Sequence, residues 1–387
     1  MGDRSVTNHG ARVVVAPDKF KDSVTAAQAA AALRIGLLSE RPFLDVLPLP
    51  VADGGEGTVD AAVSAGYQIV PVLAQGPTGE PVDTGFAVLD GTAVVELADV
   101  SGLRRLPRAG ETAPLTASTY GVGQVITAAL DAGATTIVLG IGGSSSTDGG
   151  AGMLQALGVR LTGANGADLE RGGAALAGLM EVDLAGLDRR LRPGGGSTVL
   201  VASDVNNPLL GLTGAAVVFG PQKGATPAEV EILDAALASF AAATASVTGL
   251  DLAGAAGAGA AGGTGFGALA YLGAKLVPGV DLVLDLIGFD DALSGARLVI
   301  TGEGSMDSQS LGGKAPVGVA RAATRRGVPV VAVAGQVRLS AEEVAAAGFA
   351  AVYALTDTEP DRAASIARAQ ELLQLVGAQI AASGMAG

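Results

Sequence analysis

Short runs of Val, Ile and Leu alternate along the chain with longer stretches in which Ala and Leu recur at helical spacing. Residues 12–18 (RVVVAPD) read as a buried strand. The stretch 24–38 reads as the helix that follows, with Ser23 placed to cap it. Residues 43–53 give a second strand that ends in glycines, and 58–65 another helix. The apolar runs 135–143, 197–204, 296–304 and 328–336 repeat the theme, most of them followed by a glycine-rich turn and then a helical pattern. Near-continuous apolar strands joined by helical crossovers predict parallel sheet covered on both faces.

Residues 69–99 break this rhythm. The turns GPTGEP and LDG separate short alternating segments, the pattern of antiparallel hairpins. The βα rhythm of the first residues returns near 285. The expected architecture is therefore an α/β fold with a doubly wound, Rossmann- or flavodoxin-like parallel-sheet domain. That domain is built from both chain ends (1–80 and 285–387), with 81–284 inserted as a second α/β lobe and the active site expected in the cleft between them.

Composition narrows the chemistry. The chain has 387 residues, is 49% hydrophobic and carries a net charge of −14, so a large core is available and a nucleic-acid partner is not expected. Cysteine is absent and His9 is the single histidine, which removes thiol nucleophiles, thiolate or multi-histidine metal centres and histidine-based triads. The leader has no apolar core, and no uncharged run is apolar enough to span a bilayer, the Ala/Gly tract at 252–263 coming nearest. A cytoplasmic protein without a membrane partner is expected. Only five lysines (19, 21, 223, 275 and 314) stand among nineteen arginines, and four of them fall in Gly/Pro-rich turns, where a compact ammonium suits an anion.

The chemistry-bearing motifs fall at the ends of presumed strands. Gly140-Ile-Gly-Gly-Ser-Ser-Ser-Thr-Asp-Gly-Gly-Ala-Gly152 sets Gly142, Gly143, Ser144 and Ser145 where backbone N–H groups and hydroxyls can approach an anion, with Asp148 as a carboxylate for magnesium or a substrate hydroxyl. Asp53-Gly54-Gly55-Glu56-Gly57 echoes its Asp-Gly-Gly core. Ala16-Pro-Asp-Lys-Phe-Lys-Asp22 offers Asp18, Lys19 and Lys21 at what reads as a helix start. Ser203-Asp-Val-Asn-Asn-Pro208 brings the oxygen-rich Asp204, Asn206 and Asn207. Lys223 lies in a tight turn, and Glu303, Asp307 and Lys314 repeat a carboxylate-then-lysine order. Together they suggest a site for a polyanion and a metal. Gly257-Ala-Gly-Ala-Ala-Gly262 matches a dinucleotide fingerprint, but no apolar strand precedes it. It reads as a mobile loop entering a helix at 266–276, which would carry Lys275.

The segments APDKFKDS, PVADGGEGT, GPTGEPV, IGGSSSTDGGAG, SDVNNPL, FGPQKGA and TGEGSMDSQSLGGKAP, in this order over nearly the whole chain, resemble the bacterial type-1 glycerate kinase family. Lys19 and Ser305 depart from its usual pattern. The resemblance implies ATP-dependent phosphorylation of D-glycerate with Mg²⁺, by family analogy at the 2-position, in a monomer or homodimer. Asp53, Lys21 and Asp204 are then the candidate catalytic residues. Asp148, Glu303 and Asp307 are candidates for the metal. Asp18, Lys19, Gly54, Gly55, Gly142, Gly143, Ser144, Ser145, Asn206, Asn207, Lys223 and Lys314 are candidates for substrate and phosphate. A non-catalytic small-anion binding protein on the same scaffold would not need the strand-end carboxylates.

Overall fold

The computed structural model describes residues 12–108, 110–308 and 310–386; His9 lies outside them. The first strands are β1 (Arg12–Pro17), β2 (Asp45–Pro48), β3 (Gln68–Gln75), β4 (Pro81–Leu89), β5 (Thr92–Glu96), β6 (Thr136–Gly140) and β7 (Arg160–Thr162). The others are β8 (Glu181–Asp183), β9 (Thr198–Ala202), β10 (Lys275–Val277), β11 (Ala296–Met306), β12 (Val330–Val337) and β13 (Ala351–Ala354).

The chain divides into two compact units. Unit 1 comprises residues 1–53, 60–65 and 280–387; unit 2 comprises 54–59 and 66–279. Residues 66–80, expected in the first domain, belong to the second, because β3 pairs with β4 over its whole length, from Gln68 with Val88 to Gln75 with Pro81. The return falls at 280 rather than 285.

Unit 1 holds a five-stranded all-parallel sheet in the order β13-β12-β11-β1-β2. Strand β1, flanked by β11 and β2, explains the apolar run seen in sequence. Val13 and Val15 pack with Leu33 and Leu37 of the helix Ala26–Glu40 and Leu373 of the helix Ala369–Ala382. Val14 and Ala16 face the other side, with Val280 and Val319. Helices cover both faces, so every β1 side chain from Val13 to Ala16 is fully buried. The helix Ala26–Glu40 is capped by Thr25 in a reciprocal box with Gln28, two residues beyond the expected Ser23.

Unit 2 holds a six-stranded sheet, β10-β9-β6-β5-β4-β3, parallel from β10 to β5 and antiparallel from β5 to β3, as the break in rhythm at 69–99 predicted. Lys275, expected on a helix, opens β10 on the surface. The Ala/Gly tract is a run of turns leading into a helix, as expected, but Gly257 to Ala260 are buried, and the helix Ala260–Leu272 is interrupted at its start by left-handed backbone at Ala261, Gly262 and Gly263. Gly262, at φ +66°, lies so close to the Ser146 carbonyl that a Cβ would stand 2.1 Å from that oxygen, which only glycine avoids. Among the described residues one helix, Pro227–Thr248 rather than the 252–263 tract, has the length and composition to cross a membrane. Its Leu233, Ala236, Leu237 and Phe240 are buried in the core of unit 2.

Candidate active site

The strand order of unit 1 locates a crevice. From β1 the chain moves outward to β2 on one side, and from β11 outward to β12 and β13 on the other. The order therefore reverses between β1 and β11, the arrangement in which doubly wound sheets bind ligands beyond their strand carboxyl ends. The parallel strands of unit 2 follow one another in chain order and make no such reversal.

A cavity of about 280 Å³ opens at this point of unit 1. Asp18, the first residue after β1, lies at its wall with Lys19, Phe20 and Lys21. Extended backbone continues past β2, with Leu49 N–H donating to Val15 O and Val51 N–H to Pro17 O, and this carries Asp53 to the same cavity. The end of β11 adds Glu303 and Asp307, and Lys314 stands just before the helix Ala315–Arg325. Seven of the residues singled out in the sequence thus meet in one pocket: Asp18, Lys19, Lys21, Asp53, Glu303, Asp307 and Lys314.

The turn carrying the lysines is not the first turn of a helix. Phe20 N–H donates to Val24 O and Ser23 N–H to Phe20 O, a tight turn that places Asp22 at φ +62°. A left-handed aspartate is uncommon and marks local strain, here at the rim of the pocket. Lys21 stands exposed in that turn, several residues before the helix cap.

The carboxylates perturb one another. Asp18 is 7% exposed and accepts a hydrogen bond from Lys19 N–H at 2.6 Å. Burial pushes its pKa up to about 7; the Lys19 charge opposes the rise, and Asp53 and Glu303 add to it. Glu303 is likewise raised, first by burial and then by Asp307 and Asp53, against the Ser310 hydroxyl and the Lys314 ammonium 3.7 Å away. A carboxyl with a raised folded pKa contributes stability at low pH that is lost as pH rises through the folded value. The wild type should therefore lose up to about 4 kcal/mol relative to Asp18→Asn between pH 4 and pH 8. Denaturant midpoints of the two proteins across that range measure this, and a pH-independent difference would contradict it.

The other candidates lie in unit 2. Gly54 (φ +84°) packs against Ala202 at the end of β9, and Gly55 against Gly142 beyond β6. The glycines permit these backbone approaches, since a Cβ on Gly54 would meet the Ala202 Cβ at 2.7 Å. Asp204 follows β9, is exposed, and accepts from Gly279 N–H at 3.0 Å. Asn206 is exposed, Asn207 ties its amide to Thr213 O, and Gly143 accepts from Leu103 N–H.

Four further candidates are held by polar groups of unit 2 itself. Asp148 is fully buried, and its oxygens are engaged by the chain: Oδ2 accepts from Thr119 N–H, Thr119 Oγ1 and Gly152 N–H, and Oδ1 from Gly150 N–H. It anchors the start of the helix Ala151–Ala156. Ser145 donates its hydroxyl to Ser101 O, and the Ser144 hydroxyl bonds within its own loop to Ser146. Lys223 is 2% exposed and donates to Ser146 O; burial brings its pKa down to about 7, with only the Asp148 charge opposing. The hydroxyl run is thus tied into the interior of unit 2, where tight packing needs small residues.

Sequence reasoning missed several residues. Glu96 is buried and accepts from Gly57 and Val59 N–H, holding the loop that opens the helix Thr58–Ser64. A charged residue closing the apolar run TAVVE was its signal. Gln336 lines the pocket and donates to Ser305 Oγ at 3.0 Å. Thr356 and Arg362 line it from beyond β13, with no local signal.

The donor set bears on a divalent cation. Glu303 Oε1 is buried without a hydrogen-bond partner, an acceptor suited to a cation. Among the described residues no three acidic groups are placed to hold a metal by themselves. That fits Mg²⁺, which is held by one or two carboxylates together with substrate phosphates.

Carboxylates and lysines cluster here at the switch point of a doubly wound α/β unit. The glycerate kinase family profile matches residues 13–384. The glycerate kinase of Bacillus subtilis (strain 168) is 44% identical over 375 residues, 96% of this chain and 97% of that protein. The glycerate 2-kinase of Escherichia coli (strain K12) is 41% identical over 347 residues, 89% and 90% of the two chains. A crystal structure from Salmonella typhimurium LT2, provisionally named glycerate kinase 2, superposes with a TM-score of 0.85 at 41% identity, over 98% of this chain and 99% of that one. The chain belongs to the glycerate kinase family.

Proposed function

We propose that this protein transfers the γ-phosphoryl group of ATP to D-glycerate, giving 2-phosphoglycerate and ADP. The observation that supports the reading most directly is the meeting of three lysines with Asp18, Asp53, Glu303 and Asp307 at the switch point of a chain that matches a glycerate kinase over 96% of its length. The 2-position rests on the relative named glycerate 2-kinase.

Phosphoryl transfer asks for alignment and for positive charge around the moving group. The glycerate hydroxyl oxygen attacks the γ-phosphorus, its proton passes to a carboxylate, and the bond from γ-phosphorus to the bridging oxygen breaks to release ADP. Asp53 is the proposed proton acceptor, because it reaches the cavity beside Asp18 and Glu303. Lys19, Lys21 and Lys314 supply the charge that holds phosphate or the glycerate carboxylate. Glu303, with Asp307, would hold Mg²⁺, which when bound neutralises charge on the phosphates.

Incubation with ATP, Mg²⁺ and D-glycerate, with the product resolved by phosphorus NMR, tests the reading. Phosphorus coupled to the C2 proton is expected, and coupling to the methylene protons would reassign the position. No phosphorylated product at saturating substrates would leave a non-catalytic anion-binding protein.

Lys21→Arg is expected to fold normally and lose at least about tenfold in kcat/KM, or ~1.4 kcal/mol, because a broad planar guanidinium fits poorly where a compact ammonium sits. Lys275→Arg, on the surface of unit 2, is the silent control. Equal behaviour of the two variants in steady-state kinetics would make Lys21 a solvated surface charge.

A further inference from the structure

The strand order sorts the lining of the unit 1 pocket into two ends. Asp53, Asp18 and Glu303 come from the β2, β1 and β11 side and are charged. Gln336 follows from β12, and Leu355 and Thr356 from beyond β13. On that far side stand also Ile366, in the short helix Arg362–Ala367, and Ala369. Ser23 Oγ donates to Ile366 O at 2.8 Å, so the turn that carries Lys21 is tied to this far wall and Phe20 is a shared boundary of the two ends. Arg362 is the one charged residue lining the far end.

Size separates the candidate occupants. Neighbouring strands are spaced about 4.8 Å apart, so a pocket lined from β2 across to β13 crosses four spacings, roughly 19 Å. Its 280 Å³ would hold about nine waters at roughly 30 Å³ each. Glycerate has only seven non-hydrogen atoms, four of them oxygens, and can use the charged end alone. It leaves unfilled the far wall, where Thr356 and Ile366 keep exposed surface and Leu355 and Ala369 are packed in the core. A flat heterocycle attached to a chain of phosphates matches both ends at once, apolar faces against the wall and negative charge toward the lysines.

We propose that the far end of this pocket, formed by Phe20, Leu355, Thr356, Ile366 and Ala369, seats the base of the nucleoside triphosphate, with its phosphates directed to Lys21 and Lys314. The proposal rests on the kinase reading above and adds to it which unit holds the phosphoryl donor and which residues select it. Thr356 and Ile366 are the specificity-determining positions, both half-buried and outside the charged cluster.

Calorimetric titration of the full chain with ADP, and separately with inorganic tripolyphosphate, tests this without turnover. Thr356→Phe fills the far end and should weaken ADP binding at least about tenfold while leaving tripolyphosphate binding within about twofold. Ile366→Ala, which only shortens a side chain, should shift ADP in the same direction by about threefold and serves if the larger substitution disturbs folding. In steady-state kinetics both should raise KM for ATP and leave KM for glycerate unchanged. Equal weakening of ADP and tripolyphosphate, unchanged ADP binding, or a rise confined to the KM for glycerate would each overturn the proposal. Base-dependent ADP binding in a wild type that phosphorylates no glycerate would instead uphold the subsite and refute the acceptor.

Discussion

Asp53→Asn is expected to lower kcat by at least about two orders of magnitude, the range for loss of a positioned acid–base group. The substitution keeps the size of the side chain and removes its negative charge, and with it the ability to accept a proton from the substrate hydroxyl. Stability should change little. Asp53 is half-exposed, and its charge adds to the repulsion that raises the carboxyls of Asp18 and Glu303. Neutralising it relaxes that repulsion. Initial rates with saturating ATP and D-glycerate, alongside a thermal melt, read both quantities. Near-normal turnover would pass the role to Asp18 or Asp204. A low rate accompanied by a large fall in Tm would mean that the residue holds the fold rather than the proton.

Asp148→Ala should behave in the opposite way, as a folding defect present without any metal. Four donors converge on that carboxylate, three of them backbone N–H groups, in a position with no exposure. Each buried donor left unpaired is worth about 1–3 kcal/mol, so for the three backbone N–H groups the loss should reach about 3–9 kcal/mol. That is a large share of the roughly 5–15 kcal/mol that stabilises an ordinary domain. Thr119 makes the defect spread, since its hydroxyl links Asp148 to Met153 N–H, at 2.9 Å on each side. Urea denaturation in chelator-containing buffer measures the effect. Wild-type stability in chelator, with activity lost only when Mg²⁺ is required, would restore the metal role that the sequence suggested.

The contrast between these two aspartates shows where sequence reading stops. Asp53-Gly-Gly and Asp148-Gly-Gly are the same local motif, each following an apolar strand and preceding a helix. The Asp-Gly-Gly core itself does not tell them apart. What does is the company each finds far along the chain. Asp148 meets Thr119, 29 residues earlier, and Asp53 meets the end of β11, some 250 residues later. The lysines divide in the same way. Lys21 and Lys223 both sit in Gly/Pro-rich or charged turns, yet one stands at the pocket and the other is fully buried over Ser146.

The sequence alone determined the elements whose cause is local or periodic. The runs RVVVAP and VVAVAG had to be strands buried on both faces, because continuous β-branched residues suit nothing else in a parallel sheet. The hairpins of 69–99 followed from their turns, and the family followed from seven motifs in order. Only the tertiary structure decided which strand ends share a pocket, because the β1–β11 pairing that brings them together joins residues more than 280 positions apart, such as Arg12 and Ala296. It also decided which polar groups are ligands and which are girders. Burial removes water, and a polar group without water must satisfy itself with whatever the fold brings near.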